Sequence, residues 1–182
     1  MPTHHRAGPD GRQIALVLQG GGALGSYQAG VYEVLAAAGY LPGWVAGISI
    51  GAINAALIAG NAPANRVDRL HQFWNRVTAR PSGVAQTAND AFAQWRQILA
   101  AQSTLLLGQP GFCSPTRPLD WLGKGPTSYY STAGLKATLE ELVDFDRIGA
   151  RGEMRLSVGA VQVRTGRFAY FDSDHIRLRA EH

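Results

Sequence analysis

Two strand–turn–helix units follow each other between Ile14 and Asn61, and the turn of each unit is rich in glycine. In the first unit an apolar segment leads into the glycine loop 20–25, which opens a helical pattern. In the second a short apolar segment leads into the turn 47–51, which opens an almost wholly apolar helix. In an open α/β sheet the carboxyl ends of such strands form the edge where ligands bind. This succession predicts an α/β fold with its functional residues at the two turns.

The helices of both units are predicted from the spacing of their apolar residues. Residues 26–38 show helical spacing, which predicts an inward face made of Tyr27, Val31, Val34 and Leu35. Gly30 lies on the same helix and is expected to let it approach a strand closely. The helix at 52–59 is apolar on all sides, which is typical of a buried helix, so Asn54 needs hydrogen-bond partners there.

Residues 66–78 form an amphipathic pattern with two distinct faces. The predicted inner face carries Val67, Leu70, Phe73, Trp74 and Val77. The predicted outer face carries Arg66, Asp68, Arg69 and Arg76. His71 lies on this helix without an acidic or cysteine partner at ligand spacing, so we expect it to have a surface or packing role.

The C-terminal part of the chain predicts one helix and a hairpin. Residues 135–143 have apolar side chains on one face, and the strands 154–163 and 167–171 follow. Gly166 lies in the short connection between these strands and supplies the backbone angles of a hairpin turn.

The stretch 81–130 is broken by prolines and glycines, yet it contains a long, partly apolar segment between Ala91 and Leu107. A structureless loop of that length is uncommon in a compact domain. We weigh a helix packed across the core against a lid or membrane-touching insertion, and we favour the helix. Residues 1–12 are expected to be a flexible polar tail, and residues 13–182 one domain.

Composition and charge limit the classes of function. Hydrophobic residues make up 46% of the chain and charged residues 16%, which suits a protein with a buried core. The net charge of +4 is scattered without a basic run, which argues against nucleic-acid binding but permits contact with an anionic membrane surface. No apolar segment approaches the roughly 20 residues of a membrane span.

The few residues with metal-binding or redox chemistry give no indication of a cofactor. The single Cys113 excludes an internal disulfide and fits a reducing compartment, so we expect a cytoplasmic protein that touches membranes at most peripherally. His4 and His5 are adjacent on a polar tail, which does not indicate a metal site. We therefore expect neither a metal ion nor a cofactor.

The second turn is a Gly-x-Ser-x-Gly pattern formed by Gly47, Ile48, Ser49, Ile50 and Gly51. Between a strand and a helix this pattern is typical of a nucleophile elbow, a turn so tight that small residues must flank the serine. The hydroxyl then stands above the sheet, next to amides at the start of a helix that stabilise a developing oxyanion. Ser49 is therefore the predicted nucleophile, and the alternative is a glycine-framed turn with a buried serine.

The first turn, with Gly20, Gly22 and Gly25, admits two interpretations. Its spacing after a strand is that of a dinucleotide-binding loop, which requires an acidic residue about 20 positions further on. The second strand ends instead in Gly47-Ile48-Ser49. The other interpretation is an oxyanion loop, in which the bare amides of successive glycines approach a tetrahedral intermediate. The elbow in the next unit favours the oxyanion loop, with a nucleotide-binding α/β domain as the alternative.

Together the two motifs resemble those of the patatin-like phospholipase family. They are Gln19-Gly-Gly-Gly-Ala-Leu-Gly25, continued by Ser26 to Val31, and then Gly47-Ile-Ser-Ile-Gly51. The resemblance runs from about Ile14 to the end of the chain. It implies a three-layer α/β/α fold with a mainly parallel central sheet, and the hydrolysis of acyl esters of lipids by a Ser–Asp dyad.

The same resemblance implies a role for each residue of the two turns. Ser49 matches the nucleophile of the family. The loop that stabilises the oxyanion corresponds to Gly20, Gly21 and Gly22, and the rest of its motif to Ala23, Leu24 and Gly25. Many family members carry an arginine or a lysine where this chain has Leu24, so no charge is expected to fix the loop here.

The aspartate of the dyad is the part of the family pattern that this chain does not reproduce. In the family it begins an Asp-Gly-Gly or Asp-Gly-Ala turn after the serine, whereas the only Asp-Gly here is Asp10-Gly11, before the first strand. We expect a sequence truncated before that turn, with an incomplete sheet; the alternative is a catalytically inactive lipid- or partner-binding module. Asp172 and Asp174 are conceivable substitutes, but they are expected to be solvated and neither is assigned.

Overall fold

The computed structural model describes four stretches of the chain, which are residues 12–78, 114–115, 130–150 and 153–182. The chain forms two compact units. One consists of Met1–Phe73 with Leu139–His182, and the other of Trp74–Thr138. Both glycine-rich turns lie in the first unit. The expectations for residues 1–11, and for most of the stretch 81–130, fall outside the described residues.

Six strands and four helices have defined bounds in the described stretches. The strands are β1 Ala15–Leu18, β2 Trp44–Ile48, β3 Ser114–Pro115, β4 Tyr130–Ser131, β5 Arg155–Gln162 and β6 Arg167–Asp172. The helices are α1 Gly25–Ala37, α2 Ile50–Ala59, α3 Arg66–Thr78 and α4 Ala133–Leu142. Short 3-10 turns cover Gly22–Leu24 and Pro63–Asn65. These bounds confirm the helices and strands predicted from the sequence to within one or two residues at most ends.

A four-stranded sheet with the order β1-β2-β5-β6 forms the centre of the first unit. The strands β1, β2 and β5 are parallel, and β6 runs antiparallel to β5. The predicted α/β fold with a mainly parallel sheet is therefore confirmed. Gly166 connects β5 to β6 with a φ of 67°, as the hairpin prediction requires. The strands β3 and β4 pair with each other in the other unit.

Helix α2 is the centre of the hydrophobic core, because it contacts β1, β2 and β5 as well as α1. Leu57 and Ile58 on this helix are almost fully buried, as are Val45 on β2 and Leu156 on β5. A helix enclosed in this way has no solvated face, which is why its sequence is apolar all round. The prediction of a buried helix after the second turn is confirmed.

Helix α1 turns a different face inward from the one predicted. Its buried residues are Gly25, Ala29 and Tyr32, whereas Tyr27 is 76% and Val34 is 68% exposed. The expectation for Gly30 is also wrong, because nothing lies within 4 Å of where its Cβ would be. Helix α1 packs against α2, and Asn54 of α2 bonds to the carbonyl of Gly25, so the contact with α2 decides which face of α1 is buried.

Arg66 corrects the prediction for the outer face of α3. It is only 1% exposed, and its Nε donates to the carbonyl of Asn61 at 3.0 Å. Its Nη1 lies 3.5 Å from the hydroxyl of Tyr32, which is also buried. Arg66 is the first residue of the helix, and its side chain reaches back to donate a hydrogen bond to the segment that follows α2. Its position in the amphipathic pattern therefore does not decide its burial. The inner positions Leu70 and Phe73 are buried as predicted.

Among the helices of the described stretches, none has both the length and the apolar character that crossing a membrane requires.

Candidate active site

Ser49 lies at the apex of the turn between β2 and α2 and is exposed to solvent. Its φ of 56° and ψ of −128° make it the only described residue other than glycine with a positive φ. Its carbonyl accepts from the amides of Ala52 at 2.9 Å and Ile53 at 3.3 Å, so Ser49 also begins the helix. Strained backbone of this kind persists only where its surroundings enforce it, and it is concentrated at functional sites.

Two glycines enforce that turn because no larger residue fits beside it. A Cβ on Gly47 would lie 2.6 Å from the amide nitrogen of Ala52 and would overlap the carbonyl of Gly51. A Cβ on Gly51 would lie 2.6 Å from the carbonyl oxygen of Gln19 and would overlap that of Leu18. The second clash shows that the turn packs directly against the end of β1. The expectation that small residues must flank Ser49 is explained by this packing.

The glycine loop that follows β1 approaches Ser49 from the neighbouring strand. A Cβ on Gly20 would lie 3.2 Å from the Cβ of Ser49 and 3.5 Å from the carbonyl oxygen of Ile48. Gly21 and Gly22 follow with φ values of 145° and 57°, which glycine adopts at little cost. The strand register brings the glycine loop close to Ser49, because Leu18 pairs with Gly47 at the ends of two parallel strands.

The start of α2 adds amide donors to this corner of the sheet. The first amides of a helix have no acceptor within the helix, and the helix dipole places partial positive charge at that end. Ile50 and Gly51 are the first two residues of α2 and directly follow Ser49. Ala23 and Leu24 continue the glycine loop as an exposed 3-10 turn, in which the amide of Leu24 donates to the carbonyl of Gly21 at 3.2 Å. Gly25 is buried at the start of α1.

A chain of hydrogen bonds, buried at Asn54 and exposed at Gln19, connects α2 to the glycine loop through α1. Asn54, which is fully buried, donates from Nδ2 to the carbonyl of Gly25 at 2.8 Å and to Oε1 of Gln28 at 3.1 Å. Gln28 in turn donates from Nε2 to the carbonyl of Gln19 at 2.8 Å. The expected need of Asn54 for partners is confirmed. Sequence reasoning missed Gln28, since nothing in a helical pattern distinguishes it from a solvated glutamine.

Asp172 corrects the expectation that the strand-end carboxylates are solvated. Its side chain is 12% exposed and accepts from the Nε of Arg155 at 3.0 Å and the Nη2 at 2.9 Å. The hydroxyl of Ser157 also donates to this carboxylate at 2.5 Å, and Trp44 donates to that hydroxyl at 2.8 Å. Burial by itself would raise the pKa of Asp172, but the hydrogen bonds from Arg155 and Ser157 outweigh it and hold the pKa below its ordinary value.

Asp172 is nevertheless distant from Ser49, because it lies two strands away and is offset along the strands. It pairs with Ser157, which pairs with Ala46, three residues before Ser49 on β2. At about 3.3 Å per residue, this places Asp172 roughly 10 Å along the strands from the serine. Asp174 follows it and lies 3.3 Å from Arg155.

The other described aspartates belong to segments that contact the C-terminal end of α2. The amide of Asp144 donates to the carbonyl of Gly60, where α2 ends, and Asp146 follows two residues later. Asp68 is in the first turn of α3, whose Arg66 bonds to the carbonyl of Asn61. Helix α2 leads away from Ser49, so these carboxylates are a helix length from it. No described aspartate is therefore placed to act on Ser49.

In the described stretches, no group of three histidine, cysteine, aspartate or glutamate side chains could hold a metal ion.

His71 has an acidic partner on another helix, because its Nε2 lies 3.1 Å from a carboxylate oxygen of Glu33 on α1. Both side chains are about half exposed, which agrees with the expected surface role.

Comparison with known families identifies the class of this fold. The family model described as Patatin-like phospholipase matches residues 16–177, which is most of the chain. The chain therefore belongs to the patatin-like phospholipase family, a family of lipid acyl hydrolases that act on lipid substrates. No curated protein and no solved structure matches the chain.

Proposed function

We propose that this chain provides the nucleophile and the oxyanion loop of a serine hydrolase that cleaves acyl esters of lipids. The observation that carries the proposal is the forced, positive-φ conformation of Ser49 at a solvent-exposed apex, with Gly20 packed against it. A turn that served only to connect β2 to α2 would have no reason to hold a serine in this conformation. Family membership supports the reaction class.

In the proposed reaction the Oγ of Ser49 attacks the acyl carbonyl carbon of the ester and passes its proton to a base. The carbonyl oxygen becomes an oxyanion, and amides of Gly20, Gly21 and Gly22 donate hydrogen bonds to it. The start of α2 adds its partial positive charge. The alcohol then leaves with a proton, and water hydrolyses the acyl-enzyme to release the fatty acid and restore Ser49.

The base of this reaction is an aspartate by resemblance to the family, and we assign none. Asp172 and its neighbours lie at the far end of the sheet, and Asp172 is already bound to Arg155. The proposed mechanism thus takes its base from outside the described stretches. Without a base, a serine hydroxyl is a poor nucleophile, and the loss of general-base help costs on the order of 100- to 10,000-fold in rate. That consideration is the reason to keep an alternative, a catalytically inactive module that binds lipid or a protein partner.

The substrate class and location follow the same proposal. The substrate is a lipid ester, reached at the surface of a membrane by a cytoplasmic protein. Nucleotide binding through residues 20–25 remains the third hypothesis, and the absence of an acidic residue at the end of β2 argues against it.

Labelling with a fluorophosphonate probe tests the nucleophile. We expect the full chain and the variant Ser131→Ala to be labelled, and Ser49→Ala to remain unlabelled. Ser131 is a suitable control because it belongs to neither glycine-rich turn and its hydroxyl accepts a hydrogen bond from the amide of Ala133 at the start of α4. Equal labelling of Ser49→Ala would falsify the assignment. An unlabelled wild-type chain that binds phospholipid vesicles as well as Ser49→Ala does would favour the inactive module.

A further inference from the structure

We propose that Gln28, held by Asn54, is a positioning residue that orients the glycine loop towards Ser49. The inference rests on the proposed function, because it explains how that loop keeps the geometry of an oxyanion site. None of these side chains is expected to contact the substrate.

The directions of the hydrogen bonds in this connection are fixed by its acceptors. The carbonyl of Gly25 can only accept, so the amide nitrogen of Asn54 must face it. That nitrogen also donates to Oε1 of Gln28, which turns Nε2 of Gln28 towards the carbonyl of Gln19. The bond from Asn54 to Gly25 is buried and cannot easily be exchanged for a bond to water, and it anchors the partly buried bond to Gln28 and the exposed bond from Gln28 to Gln19.

The carbonyl of Gln19 controls the first amide of the loop. A trans peptide is planar, so the C=O of Gln19 and the N–H of Gly20 point in opposite directions from the same peptide group. Gln28 holds that carbonyl and therefore sets the direction of the Gly20 amide. Gly20 is also the loop residue that packs against Ser49, with its Cβ position 3.2 Å from the Cβ of the serine.

The glycine loop has no charged side chain of its own that could fix it. Leu24, the largest side chain of residues 20–25, is apolar and largely exposed. The two glycines that follow Gly20 have positive φ values and supply no stiffness of their own. A hydrogen bond from α1 to the strand end thus supplies the restraint that the loop sequence does not.

Two variants remove the donor at position 28 while keeping its size. Gln28→Glu still accepts from Asn54 but cannot donate to Gln19 when ionised, and Gln28→Met can do neither. Gln72→Glu is the matched control, because Gln72 is exposed on α3 and its oxygen accepts from Arg69 at 2.9 Å, a bond that glutamate retains. Two different replacements keep the test valid if one of them does not fold.

The first measurement is the backbone order of the loop by NMR relaxation. In the wild type and in Gln72→Glu, the amide order parameters of Gly20, Gly21 and Gly22 are expected near 0.85, as in rigid backbone, and in both Gln28 variants below about 0.6. The melting temperature shows that the variants are folded. If the order parameters in folded Gln28 variants equal those of the wild type, the inference is overturned.

The second measurement is the rate of fluorophosphonate labelling at Ser49. The rate at saturating probe is expected to fall roughly tenfold or more in both Gln28 variants, with the half-saturating probe concentration changed less than threefold. A merely structural role would leave the labelling rate of the folded variants unchanged, and that result would overturn the inference. If Ser49→Ala is labelled as fast as the wild type, the proposed function fails, whereas the order parameters still decide whether Gln28 holds the loop.

Discussion

The guanidinium of Arg155 binds the carboxylate of Asp172 through Nε and Nη2, and this pair ties β6 to β5 at the end of the sheet opposite Ser49. The guanidinium also lies over the ring of Trp44 on β2, with its carbon 4.5 Å from the ring centre. Ser157 completes the connection by bonding to both Trp44 and Asp172. One polar cluster therefore joins three neighbouring strands, and the side chains of that cluster serve to hold the sheet together.

We predict that Asp172→Asn destabilises the protein by about 1–3 kcal/mol, because Arg155 loses a charged partner in a shielded place. The control is Asp146→Asn, since Asp146 also pairs with an arginine, Arg177, but its side chain is 77% exposed. An exposed pair contributes little, so that variant is expected to change stability hardly at all. Urea unfolding measures both, and equal effects would contradict the role of the cluster.

The stability contributed by Asp172 depends on pH with a definite sign. Its pKa in the folded protein is lowered, so its contribution is present above the ordinary pKa of an aspartate and is lost as the pH falls through the folded pKa, below about pH 4. The raised pKa of Arg155, due mainly to its hydrogen bond with Asp172, has no effect in this range. Unfolding free energies from pH 7 down to pH 3 should fall less steeply in Asp172→Asn than in the wild type. Parallel curves would refute this.

Two glycine-to-alanine substitutions are predicted to change the stability of the protein in opposite directions. Gly51→Ala places a methyl group against the carbonyls at the end of β1, so we expect a loss of several kcal/mol or failure to fold. Gly30→Ala meets open space on an exposed part of α1 and should stabilise the protein by about 0.5–1 kcal/mol. Thermal denaturation of both variants checks the pair, and a stable Gly51→Ala would show that the turn does not pack as described.

The strain at Ser49 is itself measurable. Glycine adopts a φ of 56° more easily than a residue with a Cβ does, whereas alanine retains the penalty. We therefore expect Ser49→Gly to be about 1 kcal/mol more stable than Ser49→Ala in chemical denaturation. Both variants should be unreactive towards a fluorophosphonate. An alanine variant as stable as the glycine variant would mean that the turn relaxes without cost.

Local patterns predicted the turns well, because their requirements are steric and lie within a few residues. The spacing of Gly47 and Gly51 around Ser49 could be interpreted without knowing the fold, since any tight strand-to-helix turn excludes a Cβ there. Burial on α1 and α3 was predicted less well. Tyr27 is exposed and Arg66 is buried, because packing between helices and the bonding of chain ends override periodicity.

The sequence by itself therefore determined the α/β class, the order of the main strands and helices, and the two turns that meet near Ser49. Only the tertiary structure decided which side chains support those turns. Gln28 reaches the carbonyl of Gln19, and Asp172 is drawn into the pair with Arg155, through contacts between elements far apart in the chain. Such contacts depend on strand register and helix approach, which a local pattern does not contain. That is the physical reason why the turn at Ser49 was predictable and the contacts that support it were not.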